Sequence, residues 1–103
     1  MTREALAQRR EAETFDLQFD TLTAPFAVTV GRYEDGRVGE IFVNSHKRDQ
    51  MFDHLARDTA ILMSFALQHG ATMESLRAAL TRDANGNPLG LAGAVLDAIG
   101  EAA

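Results

Sequence analysis

Residues 14–20, TFDLQFD, alternate without a break: Phe15, Leu17 and Phe19 fall on one side, and Thr14, Asp16, Gln18 and Asp20 on the other. A period of two predicts a half-buried strand. TLTAP follows as a turn, with Pro25 fixing its own φ where the next run starts. Two more apolar-rich runs, FAVTVGRYE and RVGEIFVNS, flank Asp35-Gly36. Both turn residues tolerate positive φ, so the pattern predicts a tight hairpin. A two-residue turn would set Glu34 against Arg37, Val30 against Ile41 and Val28 against Val43. Apolar partners then coincide and opposite charges meet at the turn. Three successive strands predict an antiparallel meander.

From about Asp49 the period changes. Phe52, Leu55, Ala56, Thr59, Leu62, Met63, Ala66 and Leu67 recur on one helical face, and Ile61 and Phe65 widen it until residues 60–67 are apolar nearly all round. Such a helix is expected to be covered on more than one side, by the sheet and by something else. Gly70 is placed to end it. Thr72 is a helix N-cap with Glu74 in the first turn, and Met73, Leu76, Arg77 and Leu80 share a side of the helix that follows. RDANGNP reads as a loop in which Asn85-Gly86 turns and Pro88 can start a helix. Leu91, Val95, Leu96 and Ile99 then keep helical spacing, with Gly90 and Gly93 weakening the helix start. The prediction is α+β: a three-stranded antiparallel meander followed by three helices packed on one sheet face.

Residues 1–12 carry helix formers but only Ala5, Leu6, Ala7 and Ala12 to bury. They are expected to form an arm, either solvated helical turns or disordered, able to dock on a partner. Residues 13–103 form a single α+β domain. A domain of this size buries a modest fraction of its surface and gains from oligomerising. The formal charge of −5 argues against a general nucleic-acid binder, which needs a basic face. Cysteine is absent, which removes disulfides, thiolate nucleophiles and zinc–thiolate sites. The chain opens without the apolar stretch of a signal peptide and has no run long enough for a membrane span, so the cytoplasm is the expected location.

His46, Lys47 and Arg48 form a cationic knot just before the long helix. Helix-start N–H groups and adjacent cations can hold a phosphate or carboxylate. Asp49 partly neutralises the knot, and no glycine-rich loop accompanies it, so a solvated loop is the preferred reading. His54 and Asp58 stand four residues apart, as do Asp49 and Asp53, and His46 could join them. No pattern supplies a complete ligand set, so helix-surface pairs are expected and no metal. Ser45, Ser64 and Ser75 lie in no nucleophile motif, and Ser64 falls in the buried stretch. Glu40 and Asp16 read as strand charges that block edge pairing rather than as a carboxylate pair. His69 reads as a cation at a helix C-terminus. No catalytic residue and no cofactor is assigned. Met51, Met63 and Met73 are read first as core filling. The candidate interface residues are Ile61, Phe65 and Met51.

The run VTVGRYEDGRVGEIFV, Lys47, Arg57-Asp58, SFALQHG at 64–70 and LDAI at 96–99 together resemble a TSCPD-type domain over most of residues 14–100. That domain closes many adenosylcobalamin-dependent ribonucleotide reductases and also occurs in small stand-alone proteins. In the name-giving segment Val95 and Leu96 take the Cys and Pro places and Asp97 remains. Arg48 and Asp49 replace the glycines that often follow the hairpin lysine. Reductase tails pass electrons through cysteines, so a redox or metal role does not carry over. The resemblance implies a non-catalytic accessory or interaction module. It would form a homo-oligomer, a dimer first, and dock on a ribonucleotide reductase or related nucleotide enzyme, with neither nucleic acid nor membrane as partner. The alternative is a sensor that binds a small anionic, nucleotide-like ligand at His46, Lys47 and Arg48.

Overall fold

The computed structural model describes residues 2–19, 25–45 and 50–102. Strands β1 (Ala12–Leu17), β2 (Phe26–Arg32) and β3 (Val38–Ser45) precede helices α1 (Gln50–Gln68), α2 (Met73–Ala79) and α3 (Leu91–Ala102). The sheet is antiparallel in the order β1-β2-β3, so both outer strands are edges. The predicted meander and the three helices are therefore all present. The cationic knot His46, Lys47 and Arg48, and most of the predicted turn before β2, lie outside the described residues, as does the side chain of Met51.

One face of the sheet carries Phe26, Val28 and Val30 from β2, with Val38, Ile41 and Val43 from β3. These form one buried cluster with Ala56, Ala60, Met63 and Leu67 of α1 and Val95, Leu96 and Ile99 of α3. Phe15, Leu17 and Phe19 pack against it half-buried, as their alternation predicts. The opposite face carries Thr14 bonded to Thr29 across strands at 3.0 Å, with exposed Phe42 paired to Thr29. The architecture is two layers, sheet and helices, around a single core.

The hairpin register holds, but its turn is not the two-residue one. Val30 pairs with Ile41 and Val28 with Val43, as expected. The Tyr33 N–H, however, donates to the Arg37 carbonyl at 2.9 Å, and the Gly36 N–H donates to the Tyr33 carbonyl at 2.9 Å. Residues 34–36 thus form a three-residue loop closed by Gly36 at φ 91°, the left-handed position such loops need. The extra residue is compensated lower down. Gly31 pairs with Glu40 and Arg32 with Val38, which leaves Gly39 as a bulge in β3. Beyond the bulge the inward alternation of Ile41 and Val43 is restored. The expected Glu34–Arg37 pair does not form. Arg37 instead binds Asp35 at 2.7 Å and Glu4 at 2.8 Å.

The bulge also explains the N-terminal arm, which is irregular rather than helical over residues 2–11. A Cβ on Gly39 would lie 2.7 Å from both Leu6 Cδ2 and Tyr33 Cε2, so a larger residue here forces the arm's Leu6 and the Tyr33 ring to move. The Gly39 carbonyl, turned out of the ladder, accepts from the Gln68 amide at 2.8 Å. Gln68 is 4% exposed, and its side-chain oxygen accepts from Arg3 while its own carbonyl accepts the Glu4 N–H at 2.7 Å. Tyr33 donates to the Glu4 carbonyl at 2.7 Å, and Arg10 pairs with Glu40. The arm is tied to its own domain at these points.

The core-facing stripe of α1 is narrower than the periodicity suggested. Ala56, Ala60, Met63 and Leu67 are buried, whereas Leu55 and Leu62, assigned to the same face, are 58% and 70% exposed. Two alanines at the contact bring the helix close to the sheet, and the larger apolar residues on both flanks are then too far round the helix to reach it.

At the far end, Thr72 and Ser75 cap α2 reciprocally. Pro88 does not start α3. It bridges to Arg82 in a small hairpin turning at Asn85-Gly86, and α3 begins at Leu91. Arg82 grips Asp97 with two nitrogens at 2.8 Å each and Arg77 adds a third contact at 2.9 Å. These bonds hold the Asp97 carboxyl down from 3.8 to about 2. No helix among the described residues is long and apolar enough to cross a membrane.

Two outcomes follow. Gly39→Ala should expel the arm, speeding tryptic cleavage after Arg9 and Arg10 and destabilising the domain by about 1–3 kcal/mol in urea unfolding. Asp97→Asn should cost about 1–3 kcal/mol at neutral pH. Because the native pKa is depressed, this stabilisation is present above the unfolded value and is lost as pH falls from 3.8 to about 2. The gap between wild type and variant in urea melts should therefore close across that window.

Candidate interaction surface

β3 is an edge strand, and its outward peptide groups need partners that the sheet does not supply. Three side chains of α1 supply them along one polar stripe. Gln68 donates to the Gly39 carbonyl at 2.8 Å, and the Asp53 carboxylate accepts the Ser45 N–H at 3.4 Å. Between them, Ser64 Oγ accepts the Ile41 N–H at 2.9 Å, and its one hydrogen lies between the Ile41 and Ala60 carbonyls at 3.1 and 2.9 Å. The Ser64 hydroxyl is thus engaged in sealing the edge. Only at Val43 does no α1 side chain among the described residues reach the outward backbone.

That interval opens into a groove of about 310 Å³ between β3 and α1, lined by Phe42, Val43, Arg57, Ile61, Ser64 and Phe65. Ile61 and Phe65, expected to be interface residues, form its helical lip and are 52% and 46% exposed. Phe42 forms the opposite lip. Arg3 from the arm stands 4.6 Å over the Phe65 ring, and His69 stacks on the same ring at 6.0 Å between centroids. His69 Nδ1 lies 2.8 Å from the Phe65 carbonyl, to which it donates. Farther round the helix, Leu55 and Leu62 continue the exposed apolar area.

The remaining candidates do not converge. Asp53 pairs with Arg57 at 3.0 Å, an ordinary pair one helical turn apart, and no group of three metal-type ligands exists among the described residues. Glu40 is neutralised by Arg10, and two-strand separation and register keep it from Asp16. Ser75 is consumed by the α2 cap. Sequence reasoning passed over Phe42 and the Asp53, Ser64 and Gln68 stripe. Phe42 was legible, since the register places it on the polar sheet face opposite Thr29. The stripe was not, because three polar residues on a helix acquire a role as strand partners only once α1 is known to lie along β3.

Over 51 residues, half of this chain, the sequence is 39% identical to a vitamin B12-dependent ribonucleotide reductase of Agrobacterium fabrum and 37% identical to that of Bradyrhizobium diazoefficiens. The stretch is 4% of the length of each reductase. No family model and no solved structure matches the chain. Half of the chain is therefore related to a small part of these reductases, as the sequence resemblance implied at the level of the reductase.

Ser64→Ala leaves the Ile41 N–H without its acceptor. The domain should lose about 1–3 kcal/mol in urea unfolding. The reopened edge should also raise thioflavin T-positive aggregation on gentle heating.

Proposed function

We propose that this chain is a non-catalytic interaction module of the TSCPD type, acting in the cytoplasm by associating with itself and by docking on a ribonucleotide reductase or a related nucleotide enzyme. The observation that carries this reading is the outer side of α1, where Leu55, Ile61, Leu62 and Phe65 are all largely exposed. Four exposed large apolar side chains on one side of a helix in so small a domain support a contact with another protein. The relation of half the chain to a small part of vitamin B12-dependent reductases supports that enzyme class as a partner. The edge sealing described above favours docking through side chains of the helix rather than through strand addition.

The test is size-exclusion chromatography of the purified chain mixed with a vitamin B12-dependent ribonucleotide reductase. Co-elution is expected, with affinity reduced at least about ten-fold by Ile61→Asp. Independent elution of the two proteins at micromolar concentrations overturns the docking part of the reading.

A further inference from the structure

Four positions on the outer side of α1, Leu55, Asp58, Leu62 and Phe65, and His69 just past its end, whose N–H still bonds the Phe65 carbonyl, follow at intervals of three, four, three and four residues. That is the seam spacing of a helix pair. Leu55, Leu62 and Phe65 are exposed apolar side chains, while Asp58 is exposed and makes no hydrogen bond or ion pair among the described residues. His69 gives its Nδ1 proton to the Phe65 carbonyl, so its Nε2 can donate to an outside carboxylate in the imidazolium form, in which both ring nitrogens carry protons. The acid and the imidazole stand symmetrically about the centre of the seam, between Leu62 and Phe65. Within one chain they are eleven residues apart, about 16 Å along the helix, so they cannot pair with each other.

We infer that the self-association surface is an antiparallel α1–α1 contact between two copies of this chain, with Leu62 against Phe65 of the second copy and Asp58 against its His69. The inference rests on the self-association reading and gives it a geometry. A two-fold contact must be self-complementary, and this seam is: one rotation about its centre brings two apolar pairs and two acid–imidazole pairs together. A parallel contact would oppose acid to acid and imidazole to imidazole. Pairing through β3 is blocked by the α1 side chains that already hold its edge. Arg3 covers one side of the Phe65 ring and bonds Gln68, so it borders the seam without entering the row of five.

The experiment is a dilution series by sedimentation equilibrium, with helicity checked by circular dichroism. Wild type should dimerise. Leu62→Asp, at a 70% exposed position that does not enter the core, should weaken the dimer at least about ten-fold. Asp58→Lys and His69→Glu should each weaken it, and the double variant should recover it, because only the antiparallel contact opposes the new lysine to the new glutamate. The chain has no cysteine, so an oxidised mixture of Asp58→Cys and His69→Cys chains should give a disulfide-linked pair that neither variant gives alone. A monomeric wild type overturns the self-association reading itself. A dimer indifferent to Leu62→Asp, a double variant that does not recover, or cross-linking of Asp58→Cys with itself overturns the antiparallel seam while leaving self-association in place.

Discussion

The unpaired edge of β3 is the constraint on which the rest of this molecule depends. A three-stranded sheet has two edges and little area, and exposed ladder groups invite pairing with other chains. Here α1 runs beside β3 and presents Asp53, Ser64 and Gln68 to the strand's outward backbone. Those bonds set the rotation of the helix about its own axis. Once the polar stripe faces the edge, the adjacent stripe of Ala56, Ala60, Met63 and Leu67 faces the core. The large residues on the remaining side are left facing outward. Sealing an edge and exposing an apolar surface are thus two consequences of one helix placement.

The Gly39 bulge has a similar double effect. It absorbs the third residue of the hairpin loop, so the inward alternation of β3 continues in register with β2. It also turns a carbonyl toward Gln68 and leaves space for Leu6. Gln68 then joins three segments, because α1, β3 and the arm all meet at its side chain or backbone. A buried amide in this position is stabilising only because its polar atoms are satisfied, which ties the arm's placement to the bulge. At the opposite end of the domain Asp97 has the corresponding role, joining Arg77 of α2 and Arg82 of the small hairpin to α3. Asp97 is thus an anchor between helices.

Strand order, the hairpin register, helix order, the Thr72 cap and the helix-ending Gly70 were legible in the sequence, whereas the first strand lies at Ala12–Leu17 rather than 14–20 because pairing with β2 takes in Ala12 and Glu13 from the arm side. The legible features depend on neighbours within a few residues, where alternation, capping and turn chemistry act. The length of the hairpin loop was not legible. A two-residue turn and a three-residue turn with a compensating bulge give the same pairing of Val28 with Val43, so the apolar pattern cannot separate them. The breadth of the α1 core face was also misread. Hydropathy identifies which residues can be buried, but Leu55 and Leu62 compete with two alanines for the contact, and closeness of approach favours the small residues.

The sequence by itself determined the α+β class, the meander, the absence of thiol chemistry and the candidate pair Ile61 and Phe65, because these follow from composition and short-range periodicity. Only the tertiary structure decided that Ser64 and Gln68 seal a strand edge, that the arm folds back over Gly39, and that Leu55 and Leu62 face outward rather than into the core. Those facts depend on how far one helix has turned about its axis against one strand. That angle is set by contacts between residues tens of positions apart, which no local pattern along the chain records.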